Sequence, residues 1–235
     1  MWGPRLGFVT IGQSPRDDVV PELLKLSGID VEVIEAGALD DMTYEEVVGK
    51  LSPETGDTVY VSRMRDGRQV KLSKRKLIPL IQRRISQLNE AGVNLIVLLC
   101  SGEFPRFRSR APILYLDRVL RAFAEPVSGE ARRAAIFVPA EEQVGYARER
   151  WSQLFESVDV VPVSPYESSV EDFVRAARRA AERSPEVAIM DCIGYTAAHK
   201  EVVRSIVGAP VIATRTALAN YLRELLHSAA EPPSR

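Results

Sequence analysis

Short aliphatic runs alternate along this chain with longer stretches in which apolar and charged residues recur at helical spacing. A strand buried on both faces reads as a continuous apolar run, and consecutive parallel strands need a helical crossover between them. The alternation therefore predicts an α/β protein built on parallel sheets.

Leu6–Ile11 is the first such strand, broken by Gly12. Beyond it, Ser14 fits a helix N-cap and Pro15 the first helical position. Asp17 and Asp18 then fall where the helix dipole favours acids. Val19, Val20, Leu23, Leu24 and Leu26 give that helix its apolar face. Val31–Ile34 is a second strand, and Thr43 with Glu46 makes a capping box that opens a short helix. The next stretch breaks the βα pattern. Two β-rich arms, Thr58–Arg63 and Gln69–Leu72, flank Asp66-Gly67, a strong signal for a type I′ hairpin. A helix over 74–89 and a strand Asn94–Leu99 ending at Cys100 follow. A short strand at Ile113–Leu116 and a helix at Asp117–Ala124 close the first half.

The second half repeats the order. Ala134–Val138 is a strand, and Glu141–Phe155 is an amphipathic helix with Trp151 and Phe155 on one side. Val158–Val163 is a strand, and a serine-capped, alanine-rich helix spans 169–182. Val187–Met190 is a buried strand that runs into Asp191-Cys192. A helix His199–Ile206, a strand Pro210–Ala213, a helix Thr216–His227 and a frayed tail complete the chain. The shared order predicts two similar parallel-sheet lobes, 1–124 and 125–214, with a hairpin inserted near 57–73 in the first. The C-terminal segment 215–235 is expected to pack back on the first lobe.

Composition narrows the function. The chain has 31 basic and 32 acidic residues, a net charge of −1, and so no global field to attract nucleic acid or an anionic membrane. No apolar run approaches the roughly 18–20 residues that span a bilayer. The N-terminal segment lacks the apolar core of a signal peptide, and two cysteines do not make a disulfide scaffold. The expectation is a cytoplasmic protein with both thiols reduced. Nucleotide-loop and Gly-x-Ser-x-Gly motifs are absent. Two histidines without ligand spacing, His199 and His227, read as surface or edge residues rather than a zinc site. No metal or cofactor is expected.

Ligands of open parallel sheets bind beyond the carboxyl ends of the strands, where helix N-termini present backbone N–H groups. Four polar or glycine-bearing segments fall there: Gly12–Arg16, Cys100–Glu103, Pro139–Gln143 and Asp191–Thr196. Two of them carry the only cysteines. A thiol serves as acid or base near neutral pH, since its ordinary pKa is about 8.5. Two thiols facing each other across a substrate supply a base on one side and an acid on the other, the minimum for inverting a stereocentre beside a carboxylate. Packing is the commoner fate of a strand-end cysteine, but the matched placement of this pair favours chemistry. Cys100 and Cys192 are therefore the candidate catalytic residues. Gln13, Ser14, Arg16, Ser101, Gly102, Glu142, Gly194 and Thr196 are the candidate substrate-binding residues. The basic runs Lys71–Lys76 and Arg106–Arg110 read as solvated surface, with one of Arg106, Arg108 and Arg110 placed to reach a substrate carboxylate.

The segments TIGQSPRDDVVPEL, LSKRKLIPLIQRRI, IFVPAEEQ with the Trp151 that follows it, and MDCIGYT together resemble the AroM family, part of the wider aspartate/glutamate/hydantoin racemase superfamily. The resemblance implies two similar lobes with a pocket between them, and acid–base cysteines at the strand ends where Cys100 and Cys192 fall. It departs at two places. Ser101-Gly102-Glu103 follows the first cysteine where amino-acid racemases carry Asn and a hydroxyl residue, and Asp191 replaces a small residue before the second. The implied function is a cofactor-independent racemase or isomerase acting on a small carboxylate-bearing molecule. The alternative is a binding protein that keeps the pocket without the reaction. The expected partner is a small molecule, with self-association into a homodimer left open.

Overall fold

The computed structural model describes residues 5–226. The first lobe runs β1 (Arg5–Thr10), α1 (Val20–Ser27), β2 (Glu32–Gly37), α2 (Tyr44–Leu51), β3 (Val59–Arg63), β4 (Gln69–Ser73), α3 (Lys74–Glu90), β5 (Leu95–Leu99), β6 (Ile113–Tyr115) and α4 (Leu116–Ser128). The second runs β7 (Arg133–Val138), a 3-10 turn at Glu141–Gln143, α5 (Val144–Trp151), β8 (Ser157–Pro162), α6 (Val170–Ala181), β9 (Val187–Met190), α7 (Ala197–Val207), β10 (Val211–Ala213) and α8 (Thr214–Leu226).

The sheet orders are β2-β1-β5-β6 and β8-β7-β9-β10, all parallel. The two lobes therefore share one topology, as the repeated element order predicts. In each, the chain steps first to one side of its opening strand and then to the other. The point of reversal lies between β1 and β5, and between β7 and β9, which is where such sheets open a crevice for ligands. The protein is an α/β fold of two similar parallel-sheet lobes with a hairpin inserted in the first.

Alternating strand residues feed both faces of each sheet. Val9, Ile11, Ile96 and Leu98 pack under Leu77, Ile81, Ile85 and Leu88 of α3. Leu6, Phe8, Val97 and Leu99 pack on the other face with Leu23 of α1 and Leu218 and Leu222 of α8. In the second lobe Phe137 and Met190 meet Phe173 and Val203 on one face, while Ile136, Val138 and Ile189 meet Leu120 and Trp151 on the other. Each of these large side chains contributes roughly 1.5–3 kcal/mol by leaving water, which fixes the strand ends from which the crevice loops spring.

Capping boxes open α2 at Thr43/Glu46, α6 at Ser169/Asp172 and α7 at Thr196/His199. Glycines in the left-handed region, Gly28 and Gly208, close α1 and α7. The hairpin pairs the two expected arms, β3 with β4, with Arg63 opposite Gln69 and Tyr60 opposite Leu72. Its turn is not a two-residue type I′. Met64 donates to the Arg68 carbonyl at 2.8 Å and accepts from Gly67 at 3.0 Å, and Gly67 has φ +96°. This is a three-residue loop with glycine at the bulge, because one more residue pair closes beyond Arg63.

Two other expectations need correction. Ser14 does not cap a helix: its N–H and hydroxyl both donate to Asp40 at 2.7 Å, and the chain turns inward at Arg16 before α1 starts at Val20. The segment after β7 is not one long helix. It begins as a 3-10 turn, α5 ends at Trp151, and Phe155 lies beyond it. The last helix is described to Leu226, so His227 and the tail lie outside the described residues. No helix among the described residues is long and apolar enough to cross a membrane.

Candidate active site

Cys100 comes directly after β5, and Cys192 two residues after β9, the equivalent strand of the other lobe. Both line one narrow cleft between the lobes. The first lobe contributes Ile11, Arg16, Tyr60, Ser62 and Ser101 to its walls. The second contributes Val138, Gln143, Tyr146, Arg150, Tyr166 and Asp191.

The loops bearing the thiols match in backbone design. Each cysteine is followed, two residues on, by a glycine against which a tyrosine ring closes. A Cβ on Gly102 would stand 2.4 Å from Cζ of Tyr60, and one on Gly194 would stand 2.6 Å from the Tyr166 hydroxyl. Such distances admit a side chain at either position only if the tyrosine ring or the loop shifts. The Gly194 N–H in turn donates to the Cys192 sulfur at 3.4 Å.

Burial dominates the thiols' electrostatics. It pushes Cys100 up to about 12, the Gly102 N–H only partly offsetting it, with Cys192, Asp191 and Asp117 adding to the rise. Burial pushes Cys192 up to about 11, held there by the Gly194 N–H and the Arg16 guanidinium. Both are thiols at neutral pH.

Two buried arginines flank them. Arg16 donates to both carboxylate oxygens of Asp18 at 2.8 Å, to Thr10 Oγ1 at 2.9 Å and to the Tyr166 hydroxyl at 3.2 Å. Burial raises the Asp18 carboxyl, and the bonds from Arg16 more than reverse that, leaving it below its ordinary value. Arg150 donates to Asp191 Oδ2 at 3.1 Å and to the Ser101 carbonyl at 2.9 Å, and Trp151 Nε1 donates to the same carboxylate oxygen at 2.8 Å. Among the described residues, three buried oxygens on cleft-lining residues have no hydrogen-bond partner: Ser62 Oγ, Gln143 Oε1 and Asp191 Oδ1. An orphaned buried acceptor costs about 1–3 kcal/mol.

The structure brings together Cys100, Cys192, Arg16, Ser101 and Gly102 of the residues expected from sequence. Others have different occupations. Gln13 spans the Leu39 and Met42 carbonyls and the Arg65 N–H, and Ser14 binds Asp40. Glu142 is exposed and paired with Lys71 at 2.6 Å, and Thr196 caps α7. Gly194 lies behind Cys192, against Tyr166. Arg106, Arg108 and Arg110 do not line the cleft, and His199 stacks on Phe173 at 4.1 Å. No cluster of metal-ligating side chains exists among the described residues. Sequence reasoning missed Tyr60, Ser62, Tyr146, Arg150 and Tyr166. Each comes from a hairpin, helix or loop away from the strand-end segments.

Solved structures share this architecture. The fold is similar to aspartate racemase from Picrophilus torridus, with a TM-score of 0.60 at 13% identity over 95% of this chain and 94% of that one. It is similar to allantoin racemase from Pseudomonas fluorescens, with a TM-score of 0.58 at 14% identity over 98% of each chain. It also resembles unliganded arylmalonate decarboxylase, with a TM-score of 0.58 at 14% identity over 98% of this chain and 96% of that one. At such identities the likeness establishes the fold. No protein of curated function matches the sequence significantly. The model of the AroM protein family, by contrast, matches residues 6–226, from the first strand to the last described helix. The chain belongs to the AroM family.

Proposed function

We propose that the interlobe cleft is the active site of a cofactor-independent racemase or isomerase acting on a small carboxylate-bearing molecule, with Cys100 and Cys192 as its acid–base pair. The observation that carries this reading is the convergence of the two thiols, from equivalent strands of two like lobes, on one cleft. One thiolate removes the proton from the carbon beside the carboxylate, and the opposite thiol returns a proton to the other face. Arg16, Arg150 and the Ser101 hydroxyl are the cleft groups able to meet the substrate's negative charge. The racemases among proteins of like fold support the assignment to this reaction class.

One observation favours a second reading. Both thiols are pushed well above neutral pH, so little thiolate exists without a ligand. A protein that only binds small carboxylates would share this feature. Solvent-deuterium incorporation across amino acids, hydantoins and hydroxy acids separates the two readings. Exchange into any of them supports the enzyme. Ligand-induced thermal stabilisation that survives Cys100→Ala and Cys192→Ala, with no exchange in the wild type, supports binding alone.

A further inference from the structure

The two cysteine loops match in backbone, but their tyrosines are wired differently. The Tyr60 hydroxyl donates to the Glu103 carbonyl at 2.7 Å, which commits its hydrogen to the backbone. The Tyr166 hydroxyl instead accepts from Arg16 Nη2 at 3.2 Å, and it lies against Gly194, whose N–H donates to the Cys192 sulfur at 3.4 Å. Among the described residues no acceptor takes the Tyr166 hydrogen, so the hydroxyl is uncommitted on the wall that it shares with Cys192. Arg16 cannot swing away, since Asp18 grips it through two bonds at 2.8 Å and Thr10 through a third. Gly194 holds the phenol in place from behind, because only a residue without a Cβ admits the Tyr166 ring there.

The charged groups around the two sulfurs differ accordingly. Cys192 meets the Arg16–Asp18 pair, Tyr166, Tyr195 and the Asp191 carboxylate bound to Arg150, with Cys100 across the cleft. Cys100 meets Asp191, Asp117 and Cys192, and the Tyr60 hydroxyl beside it points its hydrogen elsewhere. Burial and the nearby Cys192 push the Tyr166 phenol above its ordinary value, so it remains a donor.

We propose that Tyr166, oriented by Arg16, is a positioning residue that donates its hydroxyl hydrogen to the Cys192 sulfur and makes Cys192 the thiol that ionises first, with Cys100 its protonated partner. The assignment of base and acid rests on the acid–base reading of the cleft, whereas the order of ionisation does not. In the free protein the proton leaves Cys192 for solvent, and the thiolate accepts hydrogen bonds from Tyr166 and Gly194.

The test is the pH profile of alkylation by iodoacetamide, followed at each cysteine by peptide mass spectrometry, in the wild type, Tyr166→Phe and Tyr60→Phe. Phenylalanine keeps the ring on the glycine and removes only the hydroxyl, and an unchanged melting temperature checks the fold. In the wild type Cys192 reacts at lower pH than Cys100. Tyr166→Phe moves the Cys192 profile upward, slowing its reaction about tenfold at fixed pH, the worth of one hydrogen bond to a charged acceptor. The Cys100 profile stays in place, and Tyr60→Phe leaves Cys192 unchanged. Thiolate absorbance in Cys100→Ser, with and without Tyr166→Phe, reads Cys192 alone and does not depend on access of the reagent. An unmoved Cys192 profile in Tyr166→Phe, or Cys100 ionising first, overturns the proposal. Neither readout needs a substrate, so a failed deuterium exchange beside a shifted profile removes the acid–base reading and leaves the wiring intact.

Discussion

Arg150 and Asp191 form a buried ion pair at 3.1 Å beside Cys192, and the same guanidinium nitrogen reaches across to the Ser101 carbonyl at 2.9 Å. One side chain from α5 thus ties the two cysteine loops together. It also accounts for the unusual carboxylate before the second cysteine, which is a structural partner of Arg150 and Trp151. Removing Arg150 leaves Asp191 buried without its cation. Arg150→Met is expected to lower stability by about 3–5 kcal/mol, and Asp191→Asn by less, since the amide oxygen keeps both donors. Urea denaturation of the two variants measures the difference. Equal losses would show that the charge of the pair, and not its hydrogen bonds, carries the stability.

Thr196 is expected to act on stability alone. Its hydroxyl accepts from the His199 N–H at 3.1 Å and closes the box that opens α7. Thr196→Ala should cost about 1 kcal/mol, the usual worth of an N-cap, while ligand affinity in the cleft stays unchanged. Chemical denaturation paired with thermal-shift titration checks both halves of this expectation.

Gly194→Ala is expected to do more than its size suggests. The new methyl would collide with the Tyr166 hydroxyl, and either the ring or the loop must move. Overpacking of this kind costs about 1–3 kcal/mol. The displaced phenol should also raise the pH at which Cys192 reacts. A variant that loses stability but keeps the wild-type alkylation profile would separate the glycine's packing role from its placement of Tyr166.

The thiols predict an alkaline weakness. In the unfolded chain cysteine ionises near its ordinary value of about 8.5, whereas the folded protein holds Cys192 to about 11 and Cys100 to about 12. Between those limits the native state binds more protons than the unfolded state, so stability falls as pH rises. Below the unfolded value the effect is absent. Melting temperature should therefore drop above about pH 9 more steeply in the wild type than in Cys100→Ser or Cys192→Ser. Parallel curves for all three proteins would contradict the burial of these groups.

The architecture was legible because its signals are local. Continuous apolar runs such as Val187–Met190 are too short for a helix and read as buried strands, and Thr43/Glu46 and Ser169 announce their helices within four residues. The thiols were legible as strand-end residues for the same reason. The rest of the cleft was not, since Tyr60, Tyr166 and Arg150 meet the cysteines only through the docking of a hairpin, a loop and a helix from separate parts of the chain. Polar residues next to a strand were also misleading. Gln13, Ser14 and Thr196 have side chains suited to a ligand, but the Leu39 carbonyl, the Asp40 carboxylate and the His199 N–H use those groups first. Even the hairpin's Asp66-Gly67 pair marked the turn without fixing its length, because the closing bond between Met64 and Arg68 leaves no mark in the turn residues themselves.

The central claim is that both thiols act on one carbon from opposite sides. It is tested most directly by following the interconversion of enantiomers in deuterium oxide with the wild type, Cys100→Ala and Cys192→Ala, for any compound that the exchange panel identifies. The wild type is expected to form the opposite enantiomer carrying solvent deuterium, and either single substitution to abolish interconversion. Interconversion that survives the loss of either cysteine, or a reduced, folded wild type that exchanges none of the panel, would contradict it.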